Sequence, residues 1–168
     1  MKLEVMRGDI TTVRVDAIVN AANTRLVGGG GVDGAIHRKA GPSLVEECRA
    51  IRNRQGGCRV GQAVATSGGL LPVQHIIHTV GPTWMGGSHN EETLLAQCYA
   101  NSLLVAEDLG VTSVAFPNIS TGVYGFPKEL AAPIAITAVR EFSAHCVQRV
   151  LFVCFDQENH RLYQQALG

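Results

Sequence analysis

The densest concentration of chemically capable residues is one stretch, Asn20-Ala21-Ala22-Asn23 followed by Gly28-Gly29-Gly30-Gly31 and Val32-Asp33-Gly34-Ala35-Ile36-His37. Four consecutive glycines between a strand and a helix free the backbone to take positive φ and to expose successive N–H groups, which is how a loop cradles phosphate without basic side chains. Asp33 stands where the helix begins and His37 four residues later, so both can point from one face toward whatever the loop holds. The same residues have plainer readings: glycines in a flexible surface loop, an aspartate as a helix cap, a lone histidine packed in a core.

A second glycine-bearing loop, Pro117-Asn118-Ile119-Ser120-Thr121-Gly122-Val123-Tyr124-Gly125-Phe126-Pro127, follows an apolar run and is long for a strand-to-helix connection. In an open α/β sheet such loops meet at one crevice, so the two could clamp one ligand from two sides. Hydroxyls and amides would hold phosphate, and Tyr124 and Phe126 would cover a sugar. Gly29, Gly31 and Gly34 also satisfy G-x-G-x-x-G, but no tight strand-to-helix turn precedes them and no acidic residue closes a second strand, so we read this match as accidental. No Lys-Ser or Lys-Thr completes a Walker loop, and no G-x-S-x-G elbow offers a serine nucleophile. His75 and His78 lie three apart in a strand, on opposite faces, and nothing completes a zinc set, so no metal is expected.

Positioning these loops requires strands that end beside them. Short apolar runs at Ala17–Val19, Ala63–Ala65, Ile76–Val80, Val114–Phe116 and Val150–Phe155 suit strands buried on both faces. Helices are expected at about 43–54, 90–109, 128–144 and 158–167. Over 90–109, Ser88 and Glu91 could form a capping box, Leu94, Cys98, Val105 and Leu109 a stripe, and Gly110 the stop. Pro133 fits its helix only if that helix starts late enough to place it in the first turn. Lys2–Met6 alternates more than the other runs and is expected as an antiparallel edge strand. Strands alternating with helices mean an α/β fold.

The 168 residues are 46% hydrophobic and 17% charged, a balance expected of one globular domain, 1–168, and exclusive of disorder or a disulfide miniprotein. Fourteen cationic against fourteen acidic residues leave no net field to draw in nucleic acid or anionic membrane, so any phosphate must be held locally. Five cysteines without a CxxC pair read as reduced core thiols of a cytoplasmic protein. The run MKLEVMRGDITT lacks the apolar core of a signal peptide, and no apolar run approaches the ~18 residues of a membrane span.

Together, Arg7-Gly8-Asp9-Ile10-Thr11, Ile18 to Asn23, Gly28 to His37, His78-Thr79-Val80-Gly81-Pro82 and Ser120 to Gly125 resemble the macrodomains, and within them the MacroD-type branch that includes bacterial O-acetyl-ADP-ribose deacetylases. The resemblance runs in family order from Lys2 to about Leu167. It implies a three-layer α/β/α domain with a central mixed sheet of about six strands and an ADP-ribose cleft across its top. Asp9 would accept from the adenine amino group, the Ile10 backbone would meet the ring, and Phe155 would pack on it. Ser120, Thr121, Gly122, Val123 and Tyr124 would wrap the diphosphate, while Asn20, Gly28, Gly29, Gly30, Gly31 and Val32 are expected among the ligand contacts toward the distal ribose. The implied chemistry is hydrolysis of O-acetyl-ADP-ribose to ADP-ribose and acetate, and of ADP-ribose esters on Asp or Glu of mono-ADP-ribosylated proteins, with no cofactor. Asp33 would serve as base or water-orienting residue, Asn23 as donor to the ribose or ester, and His37 as the group that positions Asp33. The substrate's own phosphate orienting the water fits the same residues.

Two other classes fit the same sequence: an ADP-ribose reader without chemistry, and a regulatory module that contacts a protein or RNA. Readers often lack the asparagine and aspartate around the glycine loop, and here both are present. Zero net charge argues against tight nonspecific RNA binding.

Overall fold

Apolar runs that are buried on both faces need a helical layer on each side, and the computed structural model, which describes residues 1–168, has that arrangement. Six strands, β1 (Lys2–Arg7), β2 (Ala17–Ala21), β3 (Ala63–Ser67), β4 (His75–Thr79), β5 (Ser113–Phe116) and β6 (Arg149–Cys154), form one sheet in the order β1-β6-β5-β2-β4-β3. Five helices flank it: α1 (Gly31–Ala40), α2 (Pro42–Gln55), α3 (Glu91–Leu109), α4 (Lys128–Glu141) and α5 (Gln157–Leu167).

Alternate strand residues feed two separate cores, as the two-residue period of a strand demands. Ile18, Ile76, Leu151 and Val153 pack with Ile36, Leu44, Cys48 and Ile51 of α1 and α2. Val19, Ile77, Phe116 and Phe152 pack with Leu95, Tyr99, Ala135 and Tyr163 of α3, α4 and α5. The result is the three-layer α/β/α architecture with a mixed sheet.

The sheet is mixed for a different reason than the alternation of Lys2–Met6 suggests. β1 is an edge strand but runs parallel to β6, pairing Lys2 with Arg149 through Arg7 with Cys154. The antiparallel member is β3, at the opposite edge against β4. The link between them, Gly68–Gln74, is too short for a crossover helix, which forces reversal. Alternation in β1 reports a half-covered edge and carries no information on direction.

Two helices also depart from expectation. In α3 the buried stripe is Leu95, Cys98, Tyr99, Ser102, Leu103 and Ala106, with Leu94, Val105 and Leu109 at its half-buried margin. In α4, Pro133 lies beyond the first turn, so the carbonyl four residues back, at Glu129, loses its helical donor. Pro133 faces solvent, where water can take that place.

The Ser88–Glu91 capping box does not form. Asn90 caps α3 in the left-handed region, and Glu91 turns back to accept N–H bonds from Met85 and Gly87, both 2.9 Å, and from His89. Burial raises the pKa of that carboxyl, but the backbone donors hold it down at about 2. A depressed folded value means stability that is complete above the unfolded pKa of about 4.3 and lost as pH falls toward the folded one. We therefore expect melting temperature to drop from pH 5 to pH 2.5 more steeply in the wild type than in Glu91→Gln. Equal slopes by circular dichroism would refute that assignment.

Candidate active site

Asp9, Asn23, Ser120 and Phe155 each follow a strand C-terminus, the edge where ligands bind in open α/β sheets. Along the sheet the order is Asp9 after β1, Phe155 after β6, Ser120 after β5 and Asn23 after β2. At about 4.8 Å per strand, these four positions span about 14 Å, long enough for an extended two-ring ligand joined by a diphosphate.

At the β1 end, Asp9 caps a short 3-10 turn, Ile10–Thr12; its Oδ1 accepts from Thr11 N at 2.9 Å and Thr11 Oγ1 at 2.6 Å. These bonds, with Lys39 3.5 Å from Oδ2, hold its pKa below the usual carboxylate value against the opposing effect of burial. Asp9 is thus an ionised acceptor whose side chain is about half exposed. Gly8 N donates to Cys154 O at 3.0 Å, which ties this turn to the end of β6, where the Phe155 ring is 82% exposed. An aromatic face open to water beside a fixed carboxylate suits a flat heterocycle bearing an amino group. Ile10 is buried beneath, its carbonyl accepting from Val13 N at 3.3 Å.

In the middle, the loop after β5 holds Ser120 at φ 68°, a left-handed conformation that costs a non-glycine residue strain. Its Oγ is buried with no protein partner. The bend is possible because residue 81 is glycine: a Cβ there would overlap Ser120 Oγ and crowd Ile119. Phe126 N donates to Ser120 O and Gly125 N to Gly122 O, closing a turn whose Gly122 and Val123 face open space. Thr121 Oγ1 is turned inward, donating to Asn118 O at 3.3 Å. Tyr124 is half-buried and its carbonyl accepts from Trp84 N. Phe126 does not cover a ligand: it is buried, with its ring 4.7 Å from that of Trp84. An aromatic two residues past Tyr124 points into the α3–α4 core once the chain turns at Gly125.

At the β2 end, Asn23 staples the glycine loop. Its Nδ2 donates to Gly28 O at 3.0 Å and its Oδ1 accepts from Val27 N at 3.1 Å. Gly28 and Gly31 have φ of 80° and 57°, and around Gly30 and Gly31 no atom would contact an added Cβ, so Gly30, Gly31 and the half-buried Val32 border open space. Asp33, in the first turn of α1, is only 6% exposed. Its Oδ1 accepts from Asn20 Nδ2 at 2.8 Å and lies 3.3 Å from His37 Nε2. Oδ2 takes no protein donor and is turned toward Gly29. Burial raises the Asp33 pKa, opposed by Asn20 and His37. A buried carboxylate with one oxygen anchored and one free is arranged to accept a proton.

Asn20, expected among the ligand contacts, is wholly buried and reaches the cleft only through Asp33. Beneath it lies a residue that sequence reasoning set aside: His78 of β4, paired in register with Asn20 and fully buried. The available signal was Asn20 itself, a polar residue ending an apolar strand and therefore in need of a buried partner.

A family model described as Macro domain matches residues 19–135. A Citrobacter rodentium protein named O-acetyl-ADP-ribose deacetylase is 55% identical over 168 residues, covering 99% of this chain and 95% of that one. The Oceanobacillus iheyensis macrodomain with ADP superposes with a TM-score of 0.93 at 44% identity, covering 98% of this chain and 89% of that one. The Trypanosoma brucei macrodomain in complex with ADP-ribose superposes with a TM-score of 0.90 at 40% identity, covering 99% of this chain and 69% of that one. With matches of this extent over the loops just described, the chain belongs to the macrodomain family.

Proposed function

We propose that this protein binds ADP-ribose across the strand ends and hydrolyses esters on its distal ribose: O-acetyl-ADP-ribose to ADP-ribose and acetate, and ADP-ribose from Asp or Glu side chains of mono-ADP-ribosylated proteins. The observation that carries this reading is the Asp33 carboxylate, buried, anchored through Oδ1 and free at Oδ2, beside Asn23 and the glycine loop. The deacetylase name of close relatives and the ADP-ribose of the structural neighbour support it.

In the deacetylation, water attacks the acyl carbon as Asp33 takes its proton through Oδ2. The bond from that carbon to the ribose oxygen then breaks, Asp33 returns the proton to the departing oxygen as a hydroxyl, and the acetic acid formed ionises to acetate. The open glycine-loop backbone offers N–H groups toward the oxyanion and the phosphates. Asn23 fixes the loop that presents them and orients the ribose end. Asp9 and Phe155 select the adenine.

The test is calorimetric titration with ADP-ribose, followed by acetate release from O-acetyl-ADP-ribose and release of ADP-ribose from an automodified protein. Binding with turnover of both esters is the expected result; binding with neither would make the protein a reader. Asp9→Ala serves as the binding control, with affinity expected to fall by about 1 to 3 kcal/mol for the lost charged hydrogen bond. Unchanged affinity would remove Asp9 from the adenine site.

A further inference from the structure

Behind the cleft runs a buried chain of polar side chains that the hydrolysis itself does not touch. Asn20 Nδ2 lies 2.8 Å from Asp33 Oδ1 and 3.1 Å from His78 Nδ1; His78 Nε2 lies 3.0 Å from Thr66 Oγ1; Thr66 Oγ1 donates to Ser67 O at 3.0 Å. Asn20, His78 and Thr66 are all at least nine-tenths buried. With the one Thr66 hydroxyl proton on Ser67 O, Thr66 accepts from His78 Nε2–H. That leaves His78 Nδ1 bare, an acceptor for one Asn20 N–H while the other reaches Asp33. The amide thereby turns both donors inward and leaves its own Oδ1 without a partner.

The reverse arrangement is equally self-consistent. If Thr66 donated to Nε2, Nδ1 would carry the proton, Asn20 would rotate to present Oδ1 to it, and that oxygen would face Asp33. Such a contact is tolerable only with Asp33 protonated. The direction of the whole chain therefore tracks the ionisation of Asp33. We propose that His78 is a positioning residue that, held in its Nε2–H form by Thr66, locks the Asn20 amide so that Asp33 stays ionised and ready to accept the proton of water. This inference rests on Asp33 acting as the base.

The surroundings fit a neutral relay. Burial holds His78 at a pKa of about 3, with His37 adding to that depression, so it does not charge in the working range. The other titratable groups near Asp33 are His37 on α1 and Cys48 on α2, whose thiol burial pushes up to about 11.

The test pairs His78→Leu, which removes the acceptor, with His78→Asn, whose Oδ1 can stand near the place of Nδ1. In carboxyl carbon NMR, Leu is expected to raise the Asp33 midpoint by about half a pH unit or more, and Asn to restore it. In the rate profile for O-acetyl-ADP-ribose, Leu should lower kcat about threefold or more at pH values below the raised midpoint, converging with wild type at high pH, with KM within about twofold. Thr66→Val, which frees the tautomer with little change of shape, is expected to shift the midpoint in the same direction and is decisive if His78→Leu does not fold. Long-range nitrogen–proton correlation of His78 in the wild type should show the proton on Nε2. A proton on Nδ1, or an Asp33 midpoint unmoved in folded Leu or Val variants, overturns the relay. A midpoint that moves as expected in a protein that turns over neither ester overturns the hydrolase reading and leaves the control of Asp33 ionisation standing.

Discussion

Asp33→Ala is expected to lower acetate release by about a hundredfold or more, the range for loss of a general base, while ADP-ribose binds within about tenfold of wild type. The two effects separate because the adenine and diphosphate contacts proposed above lie on other strands, at Asp9, Phe155 and the Ser120 turn. The variant should also keep its fold. Burial raises the Asp33 pKa, so ionising it costs folding free energy as pH rises past the unfolded value of about 3.9. Deleting the carboxylate removes that cost at neutral pH, offset by donors of Asn20 and His37 left without their acceptor. Melting temperatures within a few degrees, read beside single-turnover rates and calorimetry, would isolate the chemical step. A collapse of affinity in step with turnover would make Asp33 a binding residue.

Gly34→Ala has the next largest expected effect, and it acts without touching a polar group. Alanine in a helix is ordinarily favoured over glycine by about 1 kcal/mol. Here a Cβ would overlap the Gly29 carbonyl oxygen and come within 3.1 Å of Arg38 Nη1. Overpacking of this kind costs about 1 to 3 kcal/mol, so strain outweighs propensity. The loop has to yield, because Gly34 lies in the buried face of α1 and its own N–H is bonded to Gly30 O. Moving Gly29 displaces the loop segment beside Asp33 Oδ2 and Asn23. We expect ADP-ribose affinity to fall about tenfold or more and turnover to fall further, by calorimetry and acetate release. Wild-type values for both would mean that the loop yields without disturbing the cleft.

What could be read from the chain alone was whatever depends on nearby residues. Asp33 and His37 meet because positions four apart on a helix share a face, and the helix follows from the glycines that precede it. The strand runs were legible because burial on both faces leaves a continuous apolar signature. Features that depend on how distant segments pair were not. His78 and Asn20 are 58 positions apart and meet only through the β2–β4 register. The direction of β1 is decided by β6, and Phe126 turns into the core because of Trp84. Glu91 found three backbone donors in the loop before it, which no capping rule foresees. In α3, the buried stripe rotated toward Tyr99 because its ring packs on Phe116, 4.9 Å away between centroids.

The strand order β1-β6-β5-β2 has a consequence for how this protein comes into being. The first strand has only the last one as its neighbour, and the last is wedged between the first and the fifth. As the chain leaves the ribosome, the amino-terminal strand waits without a partner until residues near 150 have emerged. Such distant pairing is slow and is won late. Asp9 and Phe155 follow the two strands joined by that final insertion, so the adenine seat proposed for them is absent from a nascent or carboxy-terminally trimmed chain. On the proposed reading, recognition of the nucleotide marks completion of synthesis and folding together.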